Sequence, residues 1–154
     1  MFIAAAVVVW TELFPKAHGQ SEAQLRATSF AQMRLPDGVR LVASVYEPAR
    51  WSGFDLLGGT RQVLCARLRQ TFEVARADAL RETFLETAVA AGKSRDDAES
   101  VIRAASAHLY LNSVGIGYTE QQRNATVTIV DLPEPLGGQC TGGRLGTYET
   151  VMNF

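Results

Sequence analysis

Apolar residues along this chain recur at two different periods. The longest stripe runs Leu64, Leu68, Phe72, Ala75, Ala79, Phe84 and Ala88 at intervals of three to five residues, and it predicts one long amphipathic helix. Ala91-Gly92 ends it, because glycine adopts the left-handed cap conformation most cheaply. Ser94-Arg95-Asp96-Asp97 starts another helix, with Ser94 as the cap and the two aspartates at the positive end of the dipole. Ala98, Val101, Ile102, Ala105 and Leu109 form its apolar face, and the short link makes the pair an antiparallel αα-hairpin. An earlier helix is expected from Ser21 to Leu35, carried by Leu25, Thr28 and Ala31 and ended by the turn Pro36-Asp37-Gly38.

Between and after these helices the period drops to two. Val39 to Tyr46 alternates as a half-buried strand, and Pro48 stops it. Glu47 to Gly59 reads as a loop. Leu109 to Tyr118 and Ala125 to Leu132 are two strands of a hairpin whose turn lies in the polar stretch Thr119 to Asn124. Pro133 to Gly146 reads as a loop, with a terminal strand in Leu145 to Phe154. Phe2 to Trp10 is an unbroken apolar run with two readings: a buried first strand, or the apolar part of a leader cleaved after Gly19. The fold class is therefore α+β, a mostly antiparallel sheet packed on helices, with a long central helix and its αα-hairpin partner.

With 154 residues, 47% hydrophobic and 20% charged, the chain has the composition of one globular domain spanning 1–154. Fifteen Lys and Arg against sixteen Asp and Glu give a net charge of -1, so nucleic acid is not an expected partner. The first apolar run falls short of the ~20 residues of a membrane span. Residues 1–19 decide between an exported protein and a cytoplasmic one.

The chemistry-bearing residues are sparse. Cys65 and Cys140 form either a disulfide or two buried thiols; a bridge of that span would stabilise the fold by about 4 kcal/mol. Cys140 lies among paired glycines with Arg144 close by, so a reactive thiol with His108 as its base is one enzyme reading. Three residues separate Cys140 from Arg144, too few for a phosphatase loop, and no Gly-Lys-Ser/Thr follows to make a P-loop. His108 also suits a helix C-terminus, where a protonated imidazole meets the negative end of the dipole. Tyr46, Trp51 and Phe54 are candidate linings of a ligand pocket beside the sheet, and Asn124-Ala125-Thr126 fits the glycosylation pattern. No cofactor or metal is expected. Two functions stay open: a non-catalytic binding or structural domain, with a protein partner or further copies of itself, and a small enzyme or small-molecule binder built on Cys140, His108 and Arg144.

Overall fold

A computed structural model of the chain describes residues 20–52, 62–105 and 107–131. The first apolar run, Phe54, Cys140, Arg144 and the Gly-rich loop all lie outside the described residues.

The chain enters through a short helix, α1 (Glu22–Arg26), closed by a capping box in which Ser21 and Gln24 bond each other's backbone. The helix expected to reach Leu35 stops after this segment. Residues 27–32 continue as turns, and they bury Phe30 beside Leu25. The turn at Pro36 forms as expected: the Val39 amide donates to the Pro36 carbonyl at 3.2 Å, and Gly38 takes φ +81°.

Five strands make one antiparallel sheet in the order β1-β4-β7-β6-β5. They are β1 (Val39–Glu47), β4 (Arg67–Val74), β5 (Leu109–Leu111), β6 (Val114–Gln121) and β7 (Asn124–Asp131). Two short strands pair with each other: β2 (Arg50–Ser52) lies inside the stretch expected to be a loop, and β3 (Gln62–Leu64) ends on Leu64, the first residue of the expected helical stripe. After β4 come α2 (Ala77–Ala90) and α3 (Arg95–Arg103). α+β is thus the observed class.

The long helix expected over Leu64 to Ala88 divides at Arg76. Its first half is β4, the centre of the sheet, paired with β1 on one side and β7 on the other. The reason is arithmetic: Leu68 and Phe72 are four residues apart, an interval that fits a helical turn and two strand repeats equally well. Gln70 and Val74 complete the period-two set, and all four side chains are buried on one face. The second half does form a helix, with Leu80, Phe84 and Ala88 fully buried. It ends where expected, with Gly92 at φ +83°, the Gly92 amide on the Val89 carbonyl and the Lys93 amide on that of Ala88. Ser94 caps α3 by accepting from the Asp97 amide at 3.0 Å. α3 stops at Arg103, so Leu109, assigned to its apolar face, belongs instead to β5. The two helices contact each other and share the ion pair of Arg95 with Glu82.

The core lies between the helices and the inner face of the sheet. Leu68, Phe72, Ile116, Tyr118, Val127 and Ile129 meet Leu25, Phe30, Leu80, Phe84 and Val101 there. Phe84 stacks at 5.1 Å on both Phe30 and Tyr118. β1 departs from its expected alternation. A bulge between Leu41 and Ala43 inserts Val42, which lies 48% exposed, and shifts every later residue to the opposite face. Ser44 and Tyr46 therefore follow Val39 and Leu41 onto the inner side, while Val45, opposite Arg69, lies 52% exposed.

Candidate functional site

The cross-strand register maps the outer face of the sheet row by row. Thr71 of β4 stands opposite Thr126 of β7, which stands opposite Thr119 of β6. The next row holds Arg69, Thr128 and Gly117, and the last row Glu73, Asn124 and Gln121. Directly opposed residues sit about 5 Å apart at Cβ, so the three threonines form a continuous hydroxyl row across three strands. β5 pairs only with Val114 to Ile116, and along the rest of β6 the end of α3 borders the sheet with Ile102, Arg103 and Ala105. Together these residues, except Glu73 and Gly117, line an open groove of about 890 Å³.

The hydroxyls of this groove differ from other threonines of the chain. Thr28, Thr83 and Thr87 donate to backbone carbonyls three or four residues earlier, at 2.7 to 3.1 Å. Thr71, Thr119, Thr126 and Thr128 form no side-chain hydrogen bond among the described residues. Arg69 is half-buried and enters none of the ion pairs found there, whereas Arg40 and Arg67, on the same two strands, are matched to Glu73 and Glu47.

At the border of the groove Glu120 is committed to the fold. It accepts from Arg81 through both carboxylate oxygens, at 2.7 and 2.5 Å, and from the Tyr118 hydroxyl at 2.6 Å. Burial alone would raise its pKa, but the Arg81 pair and the Tyr118 bond outweigh that effect and hold the carboxyl below its ordinary value. Tyr118 moves the other way: burial first, then the bond to Glu120, keeps the phenol protonated far into alkali. This trio fastens α2 to β6 and leaves Glu120 no free oxygen with which to act as a base.

Of the residues marked as candidate catalytic, disulfide or pocket residues, His108, Cys65, Tyr46 and Trp51 are described, and none is among the described lining of the groove. His108 lies five residues beyond the end of α3, in the run leading to β5. Burial lowers its pKa, and its buried Nε2 has no partner among the described residues. It therefore lies past the helix end at which it was expected. Its expected partners Cys140 and Arg144 lie outside the described residues. Cys65 is buried beside β4 and is not a free thiol, but the bridge to Cys140 likewise rests on a residue outside them. Tyr46 donates to the Gln20 carbonyl at 2.9 Å and packs against the core. Trp51 lies in β2 opposite Val63, and Phe54 is outside the described residues, so the pocket imagined around these three aromatics is not tested. Of the groove residues only Asn124 and Thr126 were marked, as part of a glycosylation pattern and not as a binding site. The alternation of Thr126 and Thr128 was visible, but nothing in the sequence shows that β4 lies beside β7.

Comparison with protein families, with curated proteins and with solved structures finds no match to this chain. Function must be argued from the groove itself.

Proposed function

We propose that this chain is a non-catalytic binding domain and that the groove over Thr71, Thr119, Thr126 and Thr128 is where it binds. The observation that supports this reading is the unspent hydrogen-bonding capacity of the groove. Each hydroxyl is one donor and two acceptor sites, and the amides of Gln121 and Asn124 add more of both. In a folded protein such groups are satisfied by protein, by water or by a ligand, and a concave surface holds a ligand better than a convex one. Glu120, the carboxylate nearest to hand, is tied to Arg81 and Tyr118, so the groove offers groups that hold a ligand and withholds the one that could move its proton. A bridge between Cys65 and Cys140 belongs to the same proposal, as a fastening of the β3–β4 corner.

Nuclear magnetic resonance tests it. Small polyols and amides titrated into the labelled protein should shift the amide and methyl signals of Thr71, Thr119, Thr126 and Thr128 together, and leave those of the helix threonines Thr83 and Thr87 in place. Shifts confined to other surfaces, or none at millimolar solute, would overturn the assignment.

A further inference from the structure

The groove is cationic as well as hydroxyl-lined, which narrows what it can hold. Arg69 lies on the floor without a carboxylate partner among the described residues. Arg103, at the rim, reaches Glu99 only at 3.9 Å, and that carboxylate is already 3.3 Å from Arg95. Glu120, the acidic residue among the described lining, is neutralised by Arg81. A neighbouring cavity over Arg40, Glu73 and Arg123 has its Arg40 matched at 2.5 Å, and its Arg123 is exposed where Arg69 is half-buried.

A guanidinium is a planar fork of donors that fits a carboxylate through two parallel hydrogen bonds. Surrounding it with hydroxyls and carboxamides, which both donate and accept, suits a ligand that carries many hydroxyls of its own. The described lining offers no lysine, and its aromatic residue, Tyr118, is only 1% exposed, so it presents no stacking platform for the bases of single-stranded nucleic acid. A volume near 890 Å³ exceeds what one small oxyanion occupies and lies in the range of sites that enclose larger organic ligands.

On the strength of the binding reading above, we propose that the groove takes an acidic saccharide, an oligomer of hydroxylated rings bearing carboxylates. Arg69 grips a carboxylate, Arg103 meets a second one at the rim, and the Thr71-Thr126-Thr119 row bonds the ring hydroxyls.

Calorimetric titration of the full chain decides the matter, with four probes: a linear uronic acid tetramer, the neutral hexose tetramer of the same linkage, a glutamate tetrapeptide and inorganic phosphate. The uronic acid tetramer should bind about 10-fold tighter than the neutral one, as expected for a charge-assisted bidentate contact, and lose that margin as salt is raised. Arg69→Gln should remove the margin by weakening the uronic acid tetramer more than the neutral one, and Arg69→Lys should restore part of it. Thr126→Val, which keeps shape and charge, should weaken both tetramers. Equal binding of acidic and neutral tetramers, or an Arg69→Gln protein indistinguishable from the parent, would overturn the proposal. So would a glutamate peptide or phosphate binding as tightly as the uronic acid tetramer, since either would show that hydroxyls are not being read. Should neither tetramer bind while polyols still shift the groove threonines, the saccharide inference fails alone. Should no solute shift them, the binding reading fails with it.

Discussion

On β4 and β7, successive residues face opposite environments. Leu68, Phe72, Val127 and Ile129 point under the helices and are at most 2% exposed, while Arg69, Thr71 and Thr126 point the other way and remain partly accessible. The strands, hydrogen bonds and register are the same for both sets, so the difference resides wholly in side chains and in what lies over them. On the inner face apolar area removed from water, at roughly 25 cal/mol per Å², holds the fold together. On the outer face, the Thr71-Thr126-Thr119 row carries hydroxyls with no side-chain partner among the described residues, while Glu73 is paired with Arg40 and Thr128 is only 3% exposed. A sheet built this way separates stability from recognition by the pleat itself.

Substitutions on either face can break that separation. Truncating the inner face should have the largest effect: Leu68→Ala, at a fully buried position of the central strand, should cost about 2 to 5 kcal/mol in a denaturant melt. A loss under about half a kcal/mol would mean that the core lies elsewhere. Next comes the fastening at the border. Glu120→Ala leaves the buried Tyr118 hydroxyl without its acceptor and should cost roughly 1 to 3 kcal/mol. The same trio gives a pH signature. Because the Glu120 carboxyl is held below its ordinary value, its contribution is present above the normal carboxylate range and disappears as pH falls through that range. Tyr118, raised, contributes fully below the ordinary phenol pKa and loses that contribution as pH rises past it. Melts of Glu120→Ala should therefore converge on those of the parent in acid, while at neutral pH the variant stays less stable.

The smallest effect is expected at a turn away from both faces. The β6–β7 hairpin closes through Gln122 and Arg123, with Gln122 at φ +55°, a conformation that costs a side-chain-bearing residue about 1 to 2 kcal/mol. Gln122→Gly relieves this but frees the unfolded chain, so a net gain of about 0.5 to 1 kcal/mol is expected in the same melt. No gain would show that the hairpin tolerates the strain at no cost.

How much of this was legible depended on whether the local signal was ambiguous. The helix start at Ser21, the Pro36 turn, the Gly92 stop and the Ser94 cap each rest on a few adjacent residues, and all were readable. The helix beyond Arg26 was overread, because the alanines and leucines there suit a helix but are held as turns, with Gln70 of the sheet donating to the Ala31 carbonyl at 3.2 Å. The Leu68–Phe72 interval suits both periods, so only pairing with β1 and β7 settles it. The hairpin turns at Asn112 and Gln122 lack the glycine that usually marks them, which hid the first and made the second seem longer than it is. The groove was not legible at all. Its threonines come from three strands, and its arginine is one of many until the register sets Arg69 beside them.

Everything proposed for the outer face requires that its hydroxyls be unused by the fold. The denaturant melt of a protein carrying Thr71→Val, Thr119→Val and Thr126→Val together tests that requirement. Valine keeps the shape and the strand preference of threonine and removes only the hydroxyl, so the unfolding free energy should stay within about 1 kcal/mol of the parent. A loss of about 3 kcal/mol or more would show that the hydroxyls hold the sheet together, and the separation between its two faces would be wrong.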